Sequence, residues 1–288
     1  MKLNCQGKFL LALFLVLGFF FPMQEAYAAS NLQVHFIDVG QGDASLIELP
    51  NGENLLIDAG DNYEGDTVVN YIQQEGVSHL EYVVGTHPHA DHIGGLDDVI
   101  YSISVEKVYM PDKTYTSQTY EDVLNAMDDR GVSLYEAQAG VALVNQRVDG
   151  KNLKVYMVAP VYEDDYSDTN NWSTVIKVEY GSTSFLFTGD AEETAEIDMI
   201  NTGQNLNADI LKVGHHGSDS SSSKAFLDAV DPSVAVISVG VGNSYGHPES
   251  TVINRLKNHV DSIYRTDVNG TVVFTTSGSG WLVNKQPW

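Results

Sequence analysis

Apolar positions along this chain recur with two periods, and the switches between them mark out its elements. VHFID (34–38), ASLIEL (44–49) and NLLIDAG (54–60) read as strands, and Pro50-Asn51-Gly52-Glu53 between the last two predicts a hairpin. Val68, Val69 and Ile72 share one face of a helix predicted over 66–75. LEYVVGTH (80–87) then reads as a buried strand running straight into a cluster of histidines. Helical spacing follows near 94–103 and 118–130, with the strand VEKVYM (105–110) between them.

A second block has the same grammar. NLKVYMVAP (152–160), STVIKVEY (173–180) and TSFLFTGD (183–190) are predicted strands, with a turn at Gly181. A helix near 191–201 leads to the strand ADILKVGHH (208–216), which again ends in histidines. A helix at 223–230, the strand SVAVISVG (233–240), a helix at 249–259 and a terminal hairpin around Asn269-Gly270 complete the chain. Two strand-rich halves, each with reactive side chains at strand ends, predict two packed sheets with helices outside, an α/β arrangement read as one domain over 29–288.

Composition narrows the picture. At 43% hydrophobic and 19% charged, the chain can bury a large core, which excludes disorder and coiled coil. Its 15 Lys+Arg stand against 39 Asp+Glu, a formal charge of −24, and such a surface repels duplex nucleic acid at long range. No stable duplex binding is therefore expected. Cys5 is the sole cysteine, so intrachain disulfides and CxxC sites are absent. Lys2 and Lys8 precede an apolar run whose uninterrupted part, Phe9 to Phe21, is 13 residues, short of the roughly 20 a membrane span needs. Ala26-Tyr27-Ala28 is a cleavage-type ending. Residues 1–28 are thus expected to be a signal peptide, leaving a secreted protein with no integral membrane association.

The densest chemistry lies at 86–95. His87, His89, Asp91 and His92 fall within six residues after an apolar strand. His87 and His89 can face one ion, and Asp91 and His92, past the bend, a second. Imidazole and carboxylate suit Zn²⁺, or less selectively Mn²⁺ or Fe²⁺. Gly94-Gly95 is expected to let the backbone turn tightly there. Further strand-end candidates are Asp190, His215-His216 and His247, whereas His35, His79 and His259 stand outside any cluster.

HPHADHIGG (87–95) resembles the HxHxDH signature of the metallo-β-lactamase superfamily of hydrolases. The likeness extends through 35–61, 170–190, LKVGHHGS (211–218), SVGVGNSYGHP (239–248) and RTDVNG (265–270). The branch it resembles includes the hydrolase domain of competence-type DNA-internalisation proteins and the phosphorylcholine esterases of Gram-positive surfaces. That resemblance implies a four-layer αββα sandwich with a two-metal site at one sheet edge. It implies that Asp190 bridges both ions and that Asp58 braces the metal loop. Either HHGS or His247 supplies the last ligand of the second ion: His216 or His215 is favoured, with His247 contacting substrate or donating a proton, and the reverse assignment stays open. One departure stands out. The histidine that usually lies between the signature and the bridging aspartate is missing, and Asn170, Asn171 and Ser173 occupy the matching stretch. Asn170 could lend an oxygen there, or the first ion could be loosely held.

Two metals sharing a hydroxide, held by Asp91 and Asp190, would supply a nucleophile at neutral pH. With the second ion, a histidine outside the ligand set (His215 or His247) would stabilise or protonate the leaving oxygen. The reaction that the resemblance implies is hydrolysis of a phosphodiester, small or single-stranded given the acidic body. Two alternatives remain at this point: a metallo-hydrolase of a carboxyl derivative such as a lactone, thioester or β-lactam, and a non-catalytic metal-binding relic.

Overall fold

The computed structural model describes residues 30–161 and 166–288, so the predicted leader lies outside the described residues. In chain order, β1 (Leu32–Phe36), β2 (Ala44–Glu48), β3 (Asn54–Ala59), β4 (His79–Val84), β5 (Ser104–Met110) and β6 (Ser133–Glu136) lie side by side in a first sheet. The strands β7 (Ala142–Val148), β8 (Lys151–Ala159), β9 (Val175–Tyr180), β10 (Thr183–Phe187), β11 (Ile210–Lys212), β12 (Val234–Ile237) and β13 (Ser262–Arg265) build the second. The chain then returns to the first sheet, where β14 (Val272–Thr276) pairs with β1 and β15 (Leu282–Val283) lies at its edge.

Alternation along these strands sends one set of side chains between the sheets. Phe36, Phe185, Phe187 and Phe274 interlock there, with Phe36 stacked on Phe187 at 5.6 Å and edge-on to Phe274 at 5.9 Å. The opposite faces carry helices. α1 (Gly65–Gln74) buries the predicted stripe of Val68, Val69 and Ile72 on the first sheet, and α3 (Leu96–Ser102) and α4 (Gln118–Arg130) join it, following the single turn α2 (Ala90–Ile93). α5 (Glu193–Asn201), α6 (Lys224–Val230) and α7 (Ser250–Lys257) cover the second sheet in the same way. The result is the αββα sandwich.

Two of the three predicted hairpins form, β2–β3 across Pro50–Glu53 and β9–β10 across Gly181, whose φ of +62° suits glycine. The third does not. Around Asn269-Gly270 the chain makes a helical turn, α8 (Thr266–Asn269), and crosses from the second sheet to the first, so the terminal hairpin is β14–β15 instead. Three strands, β6, β7 and β15, went unpredicted. The first two are mostly exposed and lie at sheet edges, where little apolar alternation is required.

Strands β3 to β6 run parallel, as do β10 to β13. Their carboxyl ends share one edge of the sandwich, where parallel sheets leave a crevice for ligands. The histidine segments that follow β4 and β11 and the aspartate that follows β10 all open there.

Candidate metal centre

Each site residue arrives by a local device. Beyond β4 the chain bends at His87 and Pro88, is extended at His89 and then makes the single turn α2, which brings the His87 and His92 rings within 4.2 Å of one another. Gly94 and Gly95 serve closeness rather than turning. Gly94 has an ordinary helical φ of −60°, but a Cβ there would meet the Asn62 nitrogen at 2.2 Å and the Ala90 oxygen at 2.4 Å. Asp58 is the extra residue of a bulge, opposite the Ala44–Ser45 step, with φ of +59°. The bulge re-aims its carboxylate into the site. There it accepts the Thr86 backbone N–H (2.8 Å) and hydroxyl (2.7 Å) and lies 2.9 Å from His92 Nδ1.

After β11 comes an unusual turn. His215 (φ 48°, ψ 47°) and His216 (φ 53°, ψ 19°) are successive left-handed residues, a conformation that non-glycine side chains adopt at a cost of about 1–2 kcal/mol each. Both rings thereby reach Asp190. His92 Nε2 and His216 Nε2 lie 3.2 and 3.7 Å from its Oδ1. His215 Nε2 and His87 Nε2 lie 3.6 and 4.0 Å from its Oδ2. Asp91 Oδ2 approaches His216 Nε2 at 3.3 Å, and His89 Nδ1 lies 2.9 Å from His87 Nε2. The structure therefore brings His87, His92, His215 and His216 to the Asp190 carboxylate, with His89 beside His87 and Asp91 beside His216. His247 sits further out, its ring 5.6 Å from that of His215 and stacked under Tyr245 at 5.8 Å. A cavity of about 360 Å³ opens over them, lined by His89, Asp91, Asn170, Asp190, His215 and His247 among others.

The imidazole nitrogens facing away from Asp190 are tied down. His216 Nδ1 is 3.0 Å from the Ser238 carbonyl and 3.4 Å from Asp43. Asp43 is buried, pairs with the buried Lys212, and also lies 3.7 Å from His92 Nδ1. His215 Nδ1 faces Glu192 Oε1 at 3.3 Å and Ser220 Oγ at 3.2 Å. Asp43, Lys212 and Glu192 belong to the site and were not singled out from the sequence; a lone lysine inside the apolar strand 208–214 was the signal available.

Electrostatics follow from this crowding. Burial opposes the charged form of Asp190, yet His92, His216 and His87 hold it well below the usual carboxylate range. Burial likewise opposes a charged His216, but Asp190 and Asp43 push it up to about 10. His92 rises for the same kind of reason, against burial, through Asp190 and Asp58. His87 goes the other way, well below its ordinary value, through burial and then the neighbouring His92.

Can these residues hold a divalent cation? His92 Nε2, Asp190 Oδ1 and His216 Nε2 are buried without any hydrogen-bond partner, although each points at the others. A tetrahedral shell with bonds of about 2.1 Å spaces neighbouring donors about 3.4 Å apart. The separations of 3.2, 3.3 and 3.7 Å among Asp190, His92, Asp91 and His216 match that spacing. Two imidazoles with carboxylates are a fitting donor set for Zn²⁺ or Mn²⁺.

This sandwich, with its histidines and aspartates at one edge, is that of the metallo-β-lactamase superfamily, and the chain belongs to it: the superfamily model matches residues 37–241. Among curated proteins it is similar to ComE operon protein 3 of Bacillus subtilis, 31% identical over 263 residues, covering 85% of this chain and 33% of that one. It is similar also to competence protein ComA of Neisseria gonorrhoeae (30% identical, 93% of this chain, 36% of that one). Recombination protein 2 of Haemophilus influenzae shows 30% identity over 94% of this chain and 31% of its own length. The chain thus spans about a third of these relatives. It is a metallo-hydrolase-type domain, similar to one portion of competence proteins.

Proposed function

We propose that the protein is a metal-dependent phosphodiesterase acting on small or single-stranded phosphodiesters, with DNA strands the favoured class. The observation that carries the reading is the set of unpartnered buried donors, His92 Nε2, Asp190 Oδ1 and His216 Nε2, beside Asp91 on the cavity floor. Divalent cations held there would lower the pKa of a water toward roughly 7 and neutralise charge on a phosphoryl group. His87, His89, Asp91, His92, Asp190 and His216 would hold them, most simply as a pair of Zn²⁺ or Mn²⁺ ions. Asp58 keeps the Nδ1 proton of His92, so that Nε2 presents its lone pair. His247 is held below its ordinary pKa by burial and then by His215 and His216, so near neutral pH its ring is uncharged and offers a hydrogen bond to substrate. The names of the relatives, competence and recombination, support DNA as the substrate class. The leader-like residues 1–28 support export, and N-terminal sequencing of protein recovered from culture medium should then begin at Ala29.

The test is hydrolysis of bis(p-nitrophenyl) phosphate and of single-stranded oligonucleotides by protein reconstituted with Zn²⁺ or Mn²⁺. Turnover should require metal and disappear in His89→Ala and Asp190→Ala. Fully metal-loaded protein that cleaves only lactones or thioesters would overturn the phosphodiester reading.

A further inference from the structure

We propose that His215 is the ligand that completes the shell of the first cation, the one facing His87 and His89, in place of the histidine missing between His92 and Asp190. The inference rests on the metal-dependent reading above and concerns which side chains make a second cation possible. Three observations carry it. The oxygens of Asp190 are divided: Oδ1 faces His92 and His216, and Oδ2 faces His87 and His215 at 4.0 and 3.6 Å. The turn after β11, with two successive left-handed residues, then supplies one imidazole to each oxygen of the Asp190 carboxylate.

Both rings are also prepared alike. His216 has its Nδ1 at the Ser238 carbonyl and Asp43, and His215 has its Nδ1 at Glu192 and Ser220. A carboxylate or carbonyl on the far nitrogen fixes the tautomer and aims the other lone pair, the arrangement that metal-bound imidazoles show. Glu192 is itself placed by the Asn170 and Asn171 side-chain amides at 3.4 and 3.5 Å. Asn170, the other candidate, stands behind the ring. Its amide nitrogen lies 3.5 Å from His215 Nδ1, so the imidazole comes between that amide and Asp190. Its amide nitrogen is thus committed to Glu192 and His215, while its oxygen is buried without a hydrogen-bond partner, which makes Asn170→Ala the control for the assignment.

The experiment counts ions rather than turnover. Full-length protein stripped with chelator is titrated with Co²⁺, followed by its visible absorption, and separately dialysed against Zn²⁺ for elemental analysis. Two equivalents are expected for the parent and for Asn170→Ala, and one for His215→Ala, with folding checked by circular dichroism. Glu192→Gln keeps His215 but loosens its aim, so the weaker equivalent should bind about 10–100-fold less tightly with the stoichiometry unchanged. It also serves should His215→Ala fail to fold. Two equivalents in folded His215→Ala, a drop to one in Asn170→Ala, or an unchanged weaker site in Glu192→Gln would each overturn the assignment. A parent chain that binds one ion overturns it too, and a parent that binds none removes the metal-dependent reading itself.

Discussion

Replacing Lys212 by methionine keeps the side-chain stem and removes only its charge, from a buried position in the second sheet. Lys212 is 3% exposed and Asp43, its ion-pair partner, 5%. The ammonium also donates to the Gly189 carbonyl at 3.1 Å, but that oxygen keeps the His215 backbone N–H at 3.1 Å, so the loss falls mainly on Asp43. With the lysine gone, the carboxylate retains, among the described residues, His216 at 3.4 Å and His92 at 3.7 Å. Removing one partner of a buried pair costs about 3–5 kcal/mol. At roughly 2–4 °C per kcal/mol for a domain of this size, the melting temperature should fall by about 6–20 °C. Urea unfolding in chelator measures the cost without contributions from bound metal. Lys212→Met/Asp43→Asn removes both charges and should be more stable than the sum of the single changes by about 2 kcal/mol. A loss under about 1 kcal/mol in Lys212→Met, or strict additivity in the double variant, would refute the idea that this pair holds the floor of the site.

Asp58→Asn leaves Thr86 partly bonded but loses the acceptor for His92 Nδ1, and metal affinity should fall about 10–100-fold by calorimetry with the fold intact. Metal-free protein should lose stability from pH 7 to pH 10. His216 is raised from 6.5 to about 10, so its stabilisation is complete below the unfolded value and drains as pH climbs through the folded one. Melting curves across that range should slope downward for stripped protein, and a flat or rising profile would contradict the assignment. Salt should act in the unusual direction. A protein bound through many phosphate contacts loses about 10³–10⁵ in affinity between 50 and 200 mM salt. This chain, at −24, should instead bind and cleave single strands equally well or better as salt screens its repulsion. A steep loss in filter-binding assays would mean that a basic surface carries the substrate.

How far the architecture could be read in advance depended on burial. VHFID, NLLIDAG and TSFLFTGD supply interior strands, mostly buried and dominated by apolar residues, whereas SLYE of β6 and ALVNQRV of β7 are edge strands with polar exteriors. The Asn269-Gly270 pair looked like a hairpin because a local turn signal says nothing about which sheet the next strand joins. Within the site, ligand types at short spacing made 87–92 legible. Asp43 and Glu192 were not, because a carboxylate that orients a ligand needs only to be near it in space. Asp43 comes from a glycine-rich loop that resembles any turn, and Glu192 stands at the N-cap position of α5, where an acidic residue is ordinary, although its side chain turns to His215 instead of capping the helix. The division of labour between His215 and His216 could not be read from adjacency, since an ordinary strand would have sent them to opposite faces. Only the left-handed turn brings both rings to the same carboxylate.

That turn also sets stability against activity. Glycine occupies the left-handed region freely, so at positions 215 and 216 the backbone alone favours losing both side chains by about 1 kcal/mol each. The histidines stay there because the surroundings enforce the bend: the His215 N–H binds the Gly189 carbonyl, the Ser218 N–H binds the His215 carbonyl at 2.8 Å, and the Gly214 N–H reaches Ser222. A library of this protein screened for heat resistance alone should therefore enrich glycine at position 215, giving sturdier proteins that have lost one imidazole from the cavity, whereas His216, buried against Asp43 and Asp91, is kept by its ion pairs.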